Sequence, residues 1–259
     1  MRAIIYMFLF FTLYTSAQKP IETTSIKKTD IVFDKLVAID NFGTIFYLKD
    51  DVILKKVENT LITYNNLQLG NIASANAFNP LKINLLYKDF NTVIILDNRL
   101  AEIFKIDFNS LIPYKNVTHI STGHDNTIWV FNQDLQKLEL FDYKSRTSRA
   151  QTVPVQSSVL DLKSNYNFCW LLTENYLYKY NYFGSLVKKI KNIGYTELAE
   201  TNGDIILKKE NKLLYNKKNT DNIFPIKTGN LLINQFFVTN ETLYIYNSEF
   251  LQEFQLKID

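Results

Sequence analysis

Along most of this chain apolar and polar residues alternate in short runs, and each run ends at a small polar cluster. The clearest case is "TIWVF" at 127–131, then "NQDLQ", then "KLELFDY", which predicts two strands of period two joined by a turn. The same grammar returns as "TIFYL" and "VILKKV" from Thr44, "INLLY" and "TVIIL" from Ile83, and "FCWLL" and "YLYKYNY" from Phe168. It returns again as "DIILK" and "KLLYN" from Asp204 and as "QFFVT" and "TLYIY" from Gln235. No stretch sustains an i, i+3, i+4, i+7 apolar spacing with caps. The pattern predicts an all-β chain.

One acid marks the turn of each hairpin: Asp50, Asp89, Asp134, Glu174, Glu210 and Glu241, at successive spacings of 39, 45, 40, 36 and 31. Four-stranded repeat units need roughly 40 to 50 residues each, and further strand-like runs flank every hairpin. Before them stand "KLVAID", "NIASANAF", "NVTHIST", "VLDLKS", "YTELAE" and "NLLIN"; after them stand "LITYN", "EIFKIDF", "AQTVPV", "LVKKIK", "NIFPIK" and "EFQLKI". Radial repetition of such sheets limits exposed edges. The expectation is a six-bladed β-propeller of four-stranded antiparallel blades over residues 35–259, with five or seven blades, a β-sandwich or a flat solenoid as alternatives. Residues 18–34 are read as a linker or, through "DIVF" at 30–33, as a closing edge strand. Trp129, Trp170, Phe46, Ile206 and Phe237 take matching second-strand positions in this scheme and are expected in the core.

Composition supports strands: aromatics reach 14%, with 19 Phe and 16 Tyr against 7 Gly and 5 Pro. A net charge of +3 makes no case for nucleic acid. Residues 1–17 have the layout of a secretory signal peptide, with Arg2, an apolar run from Ala3 to Tyr14, and small residues before a cleavage point after Ala17. That run is too short for a spanning helix, which needs roughly 20 residues. No cysteine stands nearby to carry a lipid. The expectation is a periplasmic or secreted monomer with no transmembrane segment after signal removal and no lipid anchor. Cys169 is the sole cysteine, so no internal disulfide forms, and "NFCWLL" reads as a buried run.

The stretch "HDNTIWVFNQDLQKLELFDY" at 124–143 resembles the blades of bacterial sensor propellers and of NHL- or YVTN-type repeat proteins. The Trp-Asp signature of WD40 blades and the paired glycines of kelch blades are missing. The resemblance implies architecture. Such propellers mostly serve as binding platforms, although hydrolases, lyases and quinoprotein dehydrogenases occur among them.

Chemistry-bearing residues are sparse. His119 and His124 are the only histidines, and "THISTGHDN" reads as a polar turn rather than as metal ligands with Asp125 or as a triad of Ser121, His124 and Asp125. Beyond residue 17 the only arginines are Arg99, Arg146 and Arg149, and two tryptophans are too few for quinoprotein docking motifs. No catalytic or metal set is assigned and no cofactor is expected, with calcium left open because carboxylates could come from different blades. The candidate binding residues are the six turn acids, Asp50, Asp89, Asp134, Glu174, Glu210 and Glu241, expected to ring one face and partly offset by Lys49, Lys88 and Lys209. Local turn chemistry is the plainer account of them. Ten lysines against five acids between Lys179 and Lys227 read as charged outer strands that discourage edge pairing. Two functions follow. One is a non-catalytic exported platform for a protein or glycan partner in the cell envelope. The other is a hydrolase or lyase, calcium-assisted, using carboxylates in the central channel.

Overall fold

Side chains that alternate along a strand can bury both faces of a sheet only if another layer packs on each side, and in an all-β chain that layer is a neighbouring sheet. That is what happens here. The computed structural model describes residues 19–258; the expected signal peptide lies outside the described residues. The first strand among the described residues is β1 (Glu22–Asp30). Blade 1 follows with β2 (Lys35–Ile39), β3 (Ile45–Lys49), β4 (Val52–Val57) and β5 (Thr60–Tyr64). Blade 2 has β6 (Ser74–Asn79), β7 (Lys82–Tyr87), β8 (Thr92–Leu96) and β9 (Glu102–Asp107). Blade 3 has β10 (Val117–Thr122), β11 (Thr127–Asn132), β12 (Lys137–Asp142) and β13 (Thr147–Gln151). Blade 4 has β14 (Val159–Ser164), β15 (Phe168–Thr173), β16 (Tyr176–Asn181) and β17 (Leu186–Lys191). Blade 5 has β18 (Glu197–Thr201), β19 (Asp204–Lys209), β20 (Lys212–Asn216) and β21 (Ile223–Pro225). Blade 6 has β22 (Gln235–Thr239), β23 (Thr242–Tyr246) and β24 (Phe250–Lys257), with β1 as its outermost strand.

All neighbours within a blade are antiparallel, and the first strands β2, β6, β10, β14, β18 and β22 touch one another in a closed ring. The chain is therefore a six-bladed propeller, as the spacing predicts. Six buried apolar clusters lie in it, one between each pair of neighbouring blades. Within β7, Ile83, Leu85 and Tyr87 pack toward blade 1 while Leu86 packs toward blade 3. Trp129, Trp170, Phe46 and Ile206 are buried on second strands. Cys169 is buried too, and burial pushes its thiol well above the usual range.

Three expectations need correction. The closing strand is Glu22–Asp30, paired with β24 from Glu22↔Lys257 to Asp30↔Phe250, so most of "DIVF" is linker. Because β1 fills the fourth place in blade 6, "QFFVT" is that blade's first strand, "NLLIN" is a linker and "EFQLKI" belongs to the third strand. Phe237 consequently sits on the innermost strand and is only partly buried. In blade 3 the fourth strand begins at Thr147, and most of "AQTVPV" leads on to blade 4.

Polar groups also join blades 2 and 3. The buried Lys82 donates to the carbonyls of Gly123, Asp125 and Thr127 at 3.1, 2.9 and 3.0 Å. Lys115 pairs with the fully buried Glu139. Gly123 has no room for a side chain, since a Cβ there would stand 2.3 Å from Thr127 Oγ1.

Candidate functional site

Antiparallel blades put alternate connections on opposite faces. The turns between second and third strands and the linkers between blades form one face, here the linker face. Turns between first and second strands, and between third and fourth, form the other, the hairpin face.

Asp50, Asp89, Asp134, Glu174 and Glu210 lie exposed in second-to-third turns, on the linker face. Glu241 does not join them: it lies between β22 and β23, on the hairpin face. The equivalent position in blade 6 is Glu249, between β23 and β24, and with it the last spacing becomes 39 instead of 31. Asp50 and Glu210 adopt positive φ of 51° and 52°, the left-handed backbone that a tight turn requires. Asp134 accepts a hydrogen bond from Asn116 at 2.9 Å. The turns stand away from the axis, and none of these acids lines the central channel.

The channel, about 620 Å³, is lined by the first strands of all six blades. Charged and titratable groups from five blades converge at its linker end: Lys35, Lys88, His119, Asp161 with Lys163, and Glu197. Lys35 of blade 1 feels Lys163 and Asp161 of blade 4, on the far side of the axis. Burial, then the Lys163 charge, pulls Lys35 below the usual lysine range. Burial likewise lowers His119 to about 4, so its ring is neutral near pH 7. Asp161 accepts from Lys163 at 2.7 Å and from the backbone N–H groups of Leu162 and Leu198 at 2.8 and 2.9 Å. Glu197 pairs with Lys208 at 2.7 Å. Gln235 of blade 6 clamps blade 1 here, accepting from Leu36 N–H and donating to the Asp34 carbonyl, both at 2.7 Å.

The hairpin end is different. Thr122 donates to Asn76 at 2.6 Å and Ser164 to Ser121 at 2.7 Å, tying blades 2, 3 and 4 together. Asn165 donates to Glu200 at 2.7 Å, and burial raises that carboxyl. Phe78 of blade 2 meets Tyr166 of blade 4 edge to face at 5.2 Å, past the end of β10, and this contact bridges the hairpin end of the channel. Ser121, His124 and Asp125 form no triad: Ser121 bonds to Asn76 and Ser164, and His124 packs against Tyr182 at 5.6 Å.

A second hollow, about 740 Å³, runs over the linker face beside blade 3. It shares Lys88, Thr118 and His119 with the channel and is floored by Gln133, Gln136 and Gln156. The linkers carry exposed apolar side chains, with at least one in every linker: Val32, Leu67, Ile112, Val153, Ile193 and Leu232. On the hairpin face, exposed large apolar residues come from blades 1, 2 and 4 only, among them Phe42, Leu81 and Phe183. Among the described residues no group of three His, Cys, Asp or Glu is placed to hold a metal ion, and no helix is long and apolar enough to cross a membrane.

Fold and surface together define a six-bladed β-propeller with an open, charged channel mouth and a linker face that carries exposed apolar side chains. The solved structures that resemble it are propellers of several kinds. A virginiamycin B lyase from Staphylococcus aureus, bound to quinupristin, superposes with a TM-score of 0.61 at 12% identity, covering 94% of this chain and 97% of that one. A chain of a mitotic checkpoint complex gives 0.60 at 11% identity, covering 91% and 96%. BamB from Moraxella catarrhalis gives 0.51 at 12% identity, covering 85% and 71%. At such identities the likeness is one of fold. No protein-family model matches the chain, and no curated protein matches it.

Proposed function

We propose that this chain is a non-catalytic, exported docking platform that binds a protein partner through its linker face. One observation carries the reading: every inter-blade linker exposes a large apolar side chain on that face. Scattered apolar residues are ordinary on a surface, whereas a set repeated in every linker of one face supports an interaction surface there. The turn acids Asp50, Asp89, Asp134, Glu174, Glu210 and Glu249 supply a polar rim to the same face, as protein interfaces have around their apolar centres. Export rests on the signal-like residues 1–17, and action in the cell envelope follows from it. A chain of similar fold is part of a mitotic checkpoint complex.

The test is site-specific photo-crosslinking in cells. Crosslinkers at Leu67, Ile112, Val153 and Leu232 are expected to capture one common envelope protein, and crosslinkers at Phe42 and Leu81 are not. Equal capture from both faces, or none from the linker face, refutes the reading.

A further inference from the structure

A sheet edge that ends in solvent can pair with another chain, and proteins blunt such edges with charges, proline, bulges or very short strands. Five of the six blades do so on their outermost strands. Acids and lysines punctuate β1 and β9, three lysines stand in β17, and Arg149 holds the centre of β13. Each of these four strands also meets its neighbour through a shifted register. The outer strand of blade 5, β21, is three residues long and ends in Pro225. Blade 1 has none of these devices. Its outer strand β5 reads "TLITY", with neither a charge nor a proline, and pairs with β4 in unbroken register from Ile53↔Tyr64 to Val57↔Thr60. Thr60, Leu61 and Thr63 are exposed, and among the described residues no strand pairs along the outer edge of β5.

We infer that this edge is a self-association site, on which a second copy of the chain lays its own β5 antiparallel, in place of the monomer expected from the sequence. A two-fold axis through Ile62 sets Thr60 of each copy opposite Tyr64 of the other, and Leu61 opposite Thr63. Hydroxyl and apolar side chains meet there, and no like charges do. Charge singles out β5 among the long outer strands. Paired with themselves over their full length, the others bring Arg149 onto Arg149 in β13, Lys188 onto Lys189 in β17, Glu102 onto Asp107 in β9 and Glu22 onto Asp30 in β1. At β5 the outward N–H and C=O groups of both copies find partners, and two blades join into one continuous sheet. A strand of five residues buries less area than the interface of a permanent dimer, so the association is weak and reversible. The edge belongs to the outer rim, and the dimer does not depend on docking at the linker face.

Sedimentation equilibrium of the purified protein over a range of concentrations tests this. The wild type is expected to show a reversible monomer–dimer equilibrium with a dissociation constant on the order of 10 µM. Leu61→Glu with Thr63→Glu sets acids opposite one another across the axis and is expected to weaken the dimer at least about tenfold. Leu61→Lys with Thr63→Lys is expected to do the same. An equal mixture of the two variants regains the dimer, because each acid then faces a lysine. Val187→Glu, on the exposed outer strand of blade 4, leaves association unchanged. Thermal melts of each variant separate lost association from lost folding. A wild type still monomeric at about 100 µM overturns the inference, whether the edge stays bare or takes another protein's strand. So does a dimer untouched by the paired glutamates, or a mixture that stays monomeric.

Discussion

Lys115 Nζ stands 2.5 Å from Glu139 Oε2, and the carboxylate it neutralises is completely sealed from solvent. Asn132 donates to the other oxygen at 2.9 Å, and Ser148 also donates to the group. Removing one member of such a pair strands the other charge in the interior, at about 3–5 kcal/mol. Lys115→Met is therefore expected to lower the urea midpoint strongly. Lys115→Met combined with Glu139→Leu is expected to recover most of the loss. Denaturation curves of the three proteins check both outcomes.

Acid should weaken the fold in two stages. Burial lowers His119 to about 4 from 6.5, so between those values the unfolded chain binds a proton that the native chain does not. Stability accordingly falls as pH drops through that window. Burial alone would raise Glu139, but hydrogen bonds from Lys115, Ser148 and Asn132 bring it below the usual 4.5. Its contribution is present above 4.5 and is lost as pH falls through the lowered native value. His119→Asn is expected to flatten the first stage and leave the second. Urea midpoints measured from pH 7 downward show whether it does.

Truncating a second-strand aromatic tests where the core lies. Trp129→Ala is expected to cost about 3–5 kcal/mol, because the ring is buried between blades 3 and 4. Phe237→Ala should cost clearly less, since its ring is only partly buried, on the innermost strand. Equal losses by chemical denaturation would return Phe237 to the core set.

Closure can be locked covalently. Thr24 lies opposite Gln255 in the β1–β24 pair, and directly opposed antiparallel residues are close enough for a disulfide. Thr24→Cys with Gln255→Cys is expected to oxidise readily and add about 2–4 kcal/mol by constraining the unfolded chain. A reducing agent should abolish the gain in a thermal melt.

Hairpins are legible in the sequence because the second strands, and in blade 2 the third strand too, are buried on both faces in aromatic and aliphatic side chains, as in "TIWVFN", "KINLLY" and "TVIIL". The outermost strand of blade 6 is not. "ETTSIKKTD" is half exposed and lacks an apolar alternation, so nothing local marks it as a strand that pairs more than two hundred residues away. Without β1 the last unit reads one strand out of step, with Glu241 in the place of Glu249. The short final spacing was the available signal. The channel mouth was illegible for another reason. Lys35, Lys88, His119, Asp161, Lys163 and Glu197 come from five blades, and each alone looks like an ordinary surface charge until the ring closes.

Completing the last blade with β1 also imposes a timetable on biosynthesis. β1 has no partner strand in its blade until β24 has been made, so the ring stays unsealed while every strand between them is synthesised. Its exposed Lys27 and Lys28, with Glu22 and Asp30, are the kind of charges that keep a waiting edge from annealing to a stranger.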